Sequence, residues 1–337
     1  MRKKIRWGVL GVAKIATSKV IPAMQKSELI EVVAIASRSL DKAQKAADAL
    51  AIPRAYGSYE ALLADPDVDA VYNPLPNHLH VPFSKLAAAA KKHVLCEKPI
   101  ALSAAEAREL VLARDRHGVL IQEAFMVRTH PQWLAARALV REGRIGELRV
   151  VQSAFSYFND DPANVRNLAD IGGGGIYDIG CYPITTSRFL FDAEPTRVLS
   201  LVERDPQFGT DRLATALLEF PSGQALFVCS TQLVLYQRTQ ILGTRGRIEI
   251  EVPYNAPADR PCRIFVDDGR DTLGSGIETL AFDTVDQYTL ETEAFSRAIL
   301  EGKPAPIPLE DAVCNMAVID ALFRSATTGR WETLERF

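Results

Sequence analysis

Through the first third of the chain, short apolar runs alternate with amphipathic segments, the pattern of βαβ units feeding a parallel sheet. Strands are predicted at Ile5–Leu10, Val32–Ala36, Ala70–Asn73, Val94–Cys96 and Val119–Glu123. Helices are predicted between them at Ile15–Gln25, Asp41–Leu50, Tyr59–Ala64, Val81–Ala90 and Ala104–Arg116. Ser39 and Ser103 stand where a side-chain oxygen can accept from the orphan N–H groups of a first helical turn, and Gly118 stands where a helix would stop. Right-handed crossovers between such strands wind the sheet doubly.

After about Phe125 the rhythm changes. One predicted helix, Pro131–Glu142, leads into longer alternating runs at Leu148–Tyr157, Arg197–Glu203, Ala214–Phe220, Ala225–Thr231, Arg238–Leu242 and Arg247–Glu251. Turn residues such as Pro221-Ser222-Gly223 and Gly243-Thr244-Arg245-Gly246 separate several of them, which reads as a mostly antiparallel sheet. Helices at Tyr288–Leu300 and Leu309–Ser325 close the chain. The expected fold class is α/β. Residues 1–124 form a Rossmann domain with a doubly wound parallel sheet. Residues 125–337 form an α+β domain with a large, mostly antiparallel open sheet, expected to bind substrate and support oligomerisation.

Composition narrows the function. The 337 residues suffice for two cores, and 47% hydrophobic with 24% charged residues is ordinary for a globular protein. A net charge of -3 argues against a general nucleic-acid or anionic-membrane binder. The five cysteines (Cys96, Cys181, Cys229, Cys262, Cys314) are odd in number and lack a C-x-x-C pair, which argues against a disulfide framework or a structural zinc. The basic start runs straight into a strand and a glycine loop, and no apolar run nears the ~20 residues of a membrane span. A cytoplasmic location is expected. With neither H-E-x-x-H nor a Cys/His cluster among five histidines, no metal is expected.

Five constellations carry candidate chemistry. At the first strand-to-helix turn, Gly8–Ala16 presents the G-x-G-x-x-G pattern as Gly11, Ala13 and Ala16; its backbone at Gly11, Val12, Ala13, Lys14 and Ile15 would cradle a pyrophosphate at a helix N-terminus. Taken alone, that segment is equally a plain turn, and its position in the βαβ pattern is what favours a dinucleotide. At the end of the second strand stand Ser37 and Arg38, with Lys42 nearby, where NAD-preferring folds carry an acidic residue. A hydroxyl and cations there suit a 2′-phosphate, so NADP is favoured and NAD remains possible. Pro74, Leu75, Asn77 and His80 form a stiff loop at the end of the next strand, where it would wall the nicotinamide. Glu97-Lys98-Pro99 ends the strand after that; a lysine placed there is poorly explained by packing. Finally, Gly172–Gly175 precede a helical segment with Asp178 and Tyr182 four residues apart, hence on one face, although Pro183 is expected to limit or kink it. The glycines there would let backbone approach a ligand.

Together these residues resemble the Gfo/Idh/MocA family of oxidoreductases over nearly the whole chain. The most specific points are V-L-C-E-K-P at Val94–Pro99, E-A-F-M-V-R-T-H-P at Glu123–Pro131 and G-G-G-G-I-Y-D-I-G-C-Y at Gly172–Tyr182. Phe158–Asn167 is similar to the branch holding glucose-fructose oxidoreductase, aldose 1-dehydrogenases and dihydrodiol dehydrogenases. The resemblance implies a catalytic Lys98, an acidic partner in Asp178, and Tyr182 where many members carry His. It also implies a sugar, polyol or diol substrate and a homodimer or homotetramer formed through the open sheet face. Arg128, His130, Arg166 and Tyr288 are further candidates for substrate or cofactor contacts. The competing expectations are an enzyme that shuttles hydride between two sugars on tightly held cofactor, a non-catalytic NADP-binding sensor, and an NAD-dependent glycosidase.

Overall fold

The structure of the chain, a computed structural model, describes residues 4–335; the first three residues of the basic start lie outside the described residues. The chain divides into two compact units. One holds residues up to Met126 together with Gln287–Met316, and the other holds Val127–Asp286 together with residues from Ala317 on.

In the first unit six parallel strands, β1 (Ile5–Leu10), β2 (Ile30–Ala36), β3 (Arg54–Tyr56), β4 (Ala70–Asn73), β5 (His93–Glu97) and β6 (Ile121–Ala124), run in the order β3-β2-β1-β4-β5-β6. The direction of winding reverses between β1 and β4, and ligands of such sheets bind outside the carboxyl ends at that point. Both faces are covered, which is why β1 and β2 read as nearly unbroken apolar runs. Their side chains pack with Ile21, Met24, Tyr72, Leu95 and Phe295 in one core. Ser39, Ser58 and Ser103 each accept a backbone N–H at a helix start, and Gly118 closes the helix Ala104–His117 in the left-handed conformation. β3 escaped the pattern reading, because three half-buried residues give no period.

A single cut after residue 124 does not describe these units, because Gln287–Met316 packs with the first sheet. Phe295 is fully buried there, and Trp7 Nε1 donates to Ser296 Oγ at 3.1 Å. Thr289 Oγ1 donates to the Ala23 carbonyl at 2.9 Å, and Arg114 pairs with Glu310 at 2.7 Å. These contacts join residues far apart in sequence, beyond the reach of any local pattern.

The second unit is built on nine strands: β7 (Leu148–Phe158), β8 (Arg197–Arg204), β9 (Asp211–Phe220), β10 (Gly223–Ser230), β11 (Gln232–Gly243), β12 (Arg247–Ile250), β13 (Cys262–Asp267), β14 (Ile277–Phe282) and β15 (Glu332–Thr333). Their order is β14-β13-β12-β11-β7-β10-β9-β8-β15, antiparallel except where β7 pairs β10. β13 and β14 were not predicted; they lie in a stretch rich in Asp, Pro and Gly, and β14 is largely exposed. Pro183 does not stop its helix, which runs from Cys181 to Phe191. A wide turn at Ile176–Gly180, closed by the Cys181 N–H on the Ile176 carbonyl, precedes it, and Pro183 falls in the first turn where no N–H is needed. No described helix is long and apolar enough to cross a membrane.

Candidate active site

At the end of β1 the backbone turns at Gly11 with φ +99°, and a Cβ there would stand 3.0 Å from Leu75 Cδ2. The Gly11 N–H donates to the Ala36 carbonyl at 2.8 Å, tying the turn to the end of β2. Residues 14–24 are helical, so the N–H groups opening this segment have no acceptor within it and face outward with the positive helix end. Ala16, in the third glycine position, is fully buried, so its methyl fills space in the core.

Ser37 is buried at the end of β2, where its N–H donates to the Tyr56 carbonyl at 3.0 Å. Lys14, Arg38 and Lys42 are exposed and, among the described residues, carry no ion pair. Arg6, Arg54 and Arg114 of the same unit are all held by carboxylates. A turn that only glycine fits, open N–H groups and three uncompensated cations suit a dinucleotide with an extra phosphate.

The loop after β4 is held from within. His80 is buried, with Nδ1 2.7 Å from the Pro99 carbonyl and Nε2 2.6 Å from the Leu75 carbonyl. Burial drives its pKa down to about 4. It thus clamps the loop carrying Pro74, Leu75 and Asn77 to the exit of β5. At that exit Glu97 Oε1 accepts from Tyr72 Oη at 2.5 Å, Glu97 Oε2 accepts from the Lys98 N–H at 3.3 Å, and Lys98 itself is half-buried. Glu291, also in this unit, is buried, its Oε1 has no hydrogen-bond partner among the described residues, and burial followed by the charge of Glu97 pushes its pKa well up. Tyr72 and Glu291 were not singled out from sequence. An inward tyrosine in an apolar strand and a glutamate on the apolar face of a helix were the available signals. Tyr288 is partly buried against the core of this unit.

In the second unit Asp178 Oδ2 accepts from Tyr157 Oη at 2.6 Å and from Arg166 Nε at 2.9 Å. Burial and then the Asp178 charge push the Tyr157 pKa up, and the same charge raises that of Arg166. Tyr157, next to last in the amphipathic strand β7, was missed. Tyr182 is buried, its ring 5.7 Å from Phe155 and 5.4 Å from Tyr254 between centroids. Arg128 Nη1 donates to Thr185 Oγ1 at 3.4 Å and lies 4.4 Å over the Phe189 ring, against the helix that carries Tyr182. His130 is buried and caps the helix Pro131–Arg141 through Nδ1, and burial lowers its pKa to about 4.

The glycine run serves a different partner from the ligand expected there. A Cβ at Gly173 would stand 2.6 Å from the Arg166 and Leu168 carbonyls, and one at Gly174 1.9 Å from Asp211 Oδ1. The backbone approached is the chain's own. Asp211, 2% exposed, accepts from the Ile176 N–H at 2.5 Å and so secures the start of the segment bearing Asp178 and Tyr182. Desolvation raises its pKa from 3.8 to about 6. Between those values the folded chain holds a proton that the unfolded chain releases, so stability falls as pH rises from about 4 to about 6, by about 3 kcal/mol. In urea unfolding, Asp211→Asn is expected to lose this slope. If the variant and the wild-type chain change in parallel from pH 4 to 7, Asp211 is not its source.

Among the described residues, no group of three or more His, Cys, Asp or Glu is placed to hold a metal ion. A model of the oxidoreductase family with an NAD-binding Rossmann fold matches residues 5–125, and a GFO/IDH/MocA C-terminal domain matches residues 133–249. An oxidoreductase of Rhizobium meliloti is 50% identical, covering 98% of this chain and 99% of its own. The D-xylose 1-dehydrogenase (NADP(+)) 2 of Haloferax volcanii is 40% identical, covering 96% and 98%. A solved 3-ketoreductase of Actinomadura kijaniata, in complex with NADP and TDP-benzene, superposes with a TM-score of 0.89 at 30% identity, covering 96% of this chain and 98% of its own.

Proposed function

The chain belongs to the Gfo/Idh/MocA family of nicotinamide-dependent oxidoreductases, and from that premise we propose that it is an NADP-preferring dehydrogenase or reductase of a sugar or related polyol or diol. The observation that carries the cofactor preference is the pair of exposed cations Arg38 and Lys42 beside Ser37, with no acidic residue to hold ribose hydroxyls. The NADP named for the xylose dehydrogenase and the ketoreductase supports it. The backbone of Gly11, Val12, Ala13, Lys14 and Ile15 would take the pyrophosphate, and Ser37, Arg38 and Lys42 the 2′-phosphate. Pro74, Leu75, Asn77, Glu97 and the loop clamped by His80 would border the nicotinamide. When bound, the nicotinamide supplies or accepts the hydride exchanged with the carbinol carbon.

The chain's own task is the hydroxyl proton. We assign its acceptance to Tyr182. A phenol's ordinary pKa of about 10 is too high for this at neutral pH, so the Lys98 ammonium is assigned to stabilise both phenolate and substrate oxygen. Asp178, held by Tyr157 and Arg166, orients the substrate hydroxyl, with Arg128, His130, Arg166 and Tyr288 as further candidates for substrate contacts. Tyr182→Phe is expected to lower kcat roughly 10²–10³-fold with NADPH affinity unchanged. Near-normal turnover would exclude the phenol and move the base to Lys98.

The function itself is tested by mixing the chain with NADP or NAD and a panel of aldoses, inositols and diols, and following nicotinamide reduction. Turnover with NADP supports the reading. Silence with intact nucleotide binding favours a sensor, and nucleotide retained through purification favours a sugar–sugar oxidoreductase. Leu199, Leu201, Leu217, Leu226 and Val228 alternate with the buried Val198, Ala216 and Phe227 on neighbouring strands. We propose that this apolar face pairs with a second copy in a homodimer or homotetramer. A monomer in sedimentation at micromolar concentration would contradict it.

A further inference from the structure

Glu123 opens the E-A-F-M-V-R-T-H-P stretch, and the chemistry proposed above gives it no task. It is next to last in β6, buried, and in register with Cys96 of β5. Its Oε1 accepts from the Ile100 N–H at 2.8 Å. Ile100 is fully buried and lies beyond the β5–β6 ladder, whose last pair is Glu97 with Ala124. A side chain thus takes over where the backbone ladder stops. One residue earlier, the Pro99 carbonyl is 2.7 Å from Nδ1 of the buried His80. Before that comes Lys98, its N–H donating to Glu97 Oε2 at 3.3 Å. We propose that Glu123 is a positioning residue for Lys98: by holding the Ile100 N–H it closes, together with His80, a clamp on the carboxyl side of the lysine and fixes where the ammonium points. This inference rests on the assignment of Lys98 to the reaction.

Packing alone does not account for an acid in this place. Glutamate is seldom buried, because taking its carboxyl group out of water is costly unless a donor meets it. A leucine would fill similar space but would leave the buried Ile100 N–H without this acceptor. The acid therefore supplies a fixed bond rather than bulk. Lysine carries its ammonium on a flexible four-carbon stem, so the backbone on either side sets the region that the ammonium reaches. On the amino side the β5 ladder does this. On the carboxyl side the chain has left the sheet, and Pro99 has no N–H to give. Its carbonyl is tied to His80 and the next N–H to Glu123, so two elements outside β5 hold that side. Such support matters, because a displacement of about 1 Å at a reacting group can lower a rate about a hundredfold.

Glu123→Leu removes the acceptor and keeps the bulk, whereas Glu123→Gln keeps an acceptor oxygen at the same reach. On the full chain, kcat is expressed per NADPH-binding site, so an unfolded fraction does not count, and NADPH Kd is read without substrate. Glu123→Leu is expected to lower kcat about 10–100-fold with NADPH Kd within about threefold, and Glu123→Gln to keep most of the turnover. In a Lys98→Ala background, read by single turnover with the chain in excess, Glu123→Leu is expected to cause no further loss, because the residue acts through the lysine. Should the leucine variant not fold, Glu123→Asp, which withdraws the acceptor by one methylene, is expected to lower kcat about tenfold with Kd unchanged. Unchanged kcat in the variant that folds, equal losses in the leucine and glutamine variants, NADPH affinity lost in step with kcat, or an undiminished effect without Lys98 would each overturn the inference. If Lys98→Ala itself keeps near-normal turnover, the assignment of Lys98 fails and this inference with it. A dead Lys98→Ala beside a fully active Glu123→Leu overturns this inference alone.

Discussion

Lys98→Ala is expected to lower turnover about a thousandfold or more while NADPH affinity changes only a few fold. Lys98 stands at the carboxyl end of β5, half-buried, with its backbone N–H on Glu97 and that carboxylate accepting from the buried Tyr72. The backbone that aims it is thus fixed independently of its side chain. A preorganised donor facing a developing oxyanion is worth roughly 10²–10³ in turnover. In the proposed mechanism, loss of the charge assigned to steady the phenolate adds to that. Lys98→Arg is expected to rescue little, because a planar guanidinium does not replace a compact ammonium. The measurement is kcat beside NADPH Kd for each variant. More than a tenth of wild-type turnover in Lys98→Ala would remove the lysine from the chemistry, and a large rise in Kd would recast it as a binding residue.

Gly174→Ala is expected to destabilise the chain by about 4 kcal/mol and to abolish turnover in whatever fraction remains folded. Two costs combine. With φ +119°, the residue lies outside the region that side chains tolerate, at about 1–3 kcal/mol. The new Cβ would also stand 1.9 Å from Asp211 Oδ1, so a carboxyl group only 2% exposed must move away from the Ile176 N–H. A buried acid parted from its donor loses about 1–3 kcal/mol or more. Gly118→Ala is the control, since Gly118 also has positive φ but a Cβ there would meet nothing within 4 Å. It is expected to cost about 1 kcal/mol. Equal urea midpoints for the two variants would contradict the packing account of the glycine run.

The expected chemistry follows the range over which each feature acts. The Gly11 turn, the caps at Ser39 and Ser103, the stop at Gly118 and the unbroken apolar runs of β1 and β2 are local, and each appears in the structure where the residue pattern places it. The absence of an acidic residue at the end of β2 is likewise visible in a few consecutive residues. Neighbouring side chains and backbone conformation decide such features, so a window of a few residues contains them.

Other features needed the folded chain. Tyr157 lies 21 positions from Asp178, and Asp211 lies 37 from Gly174. No periodicity links such pairs, because each meets only after separate strands have taken their register. The same holds for Gln287–Met316, whose amphipathic helix shows an apolar face in sequence but not the sheet it covers. The glycine run shows the contrast most directly. Its sequence announces that something approaches the backbone closely, and only the packing of β9 beside it decides that the approaching group is Asp211. By itself, then, the sequence determined the elements, the dinucleotide turn and the family, because those rest on short-range sterics, capping and charge. Tertiary structure decided which groups hold Asp178 and Glu97 in place, because that depends on contacts between segments distant along the chain.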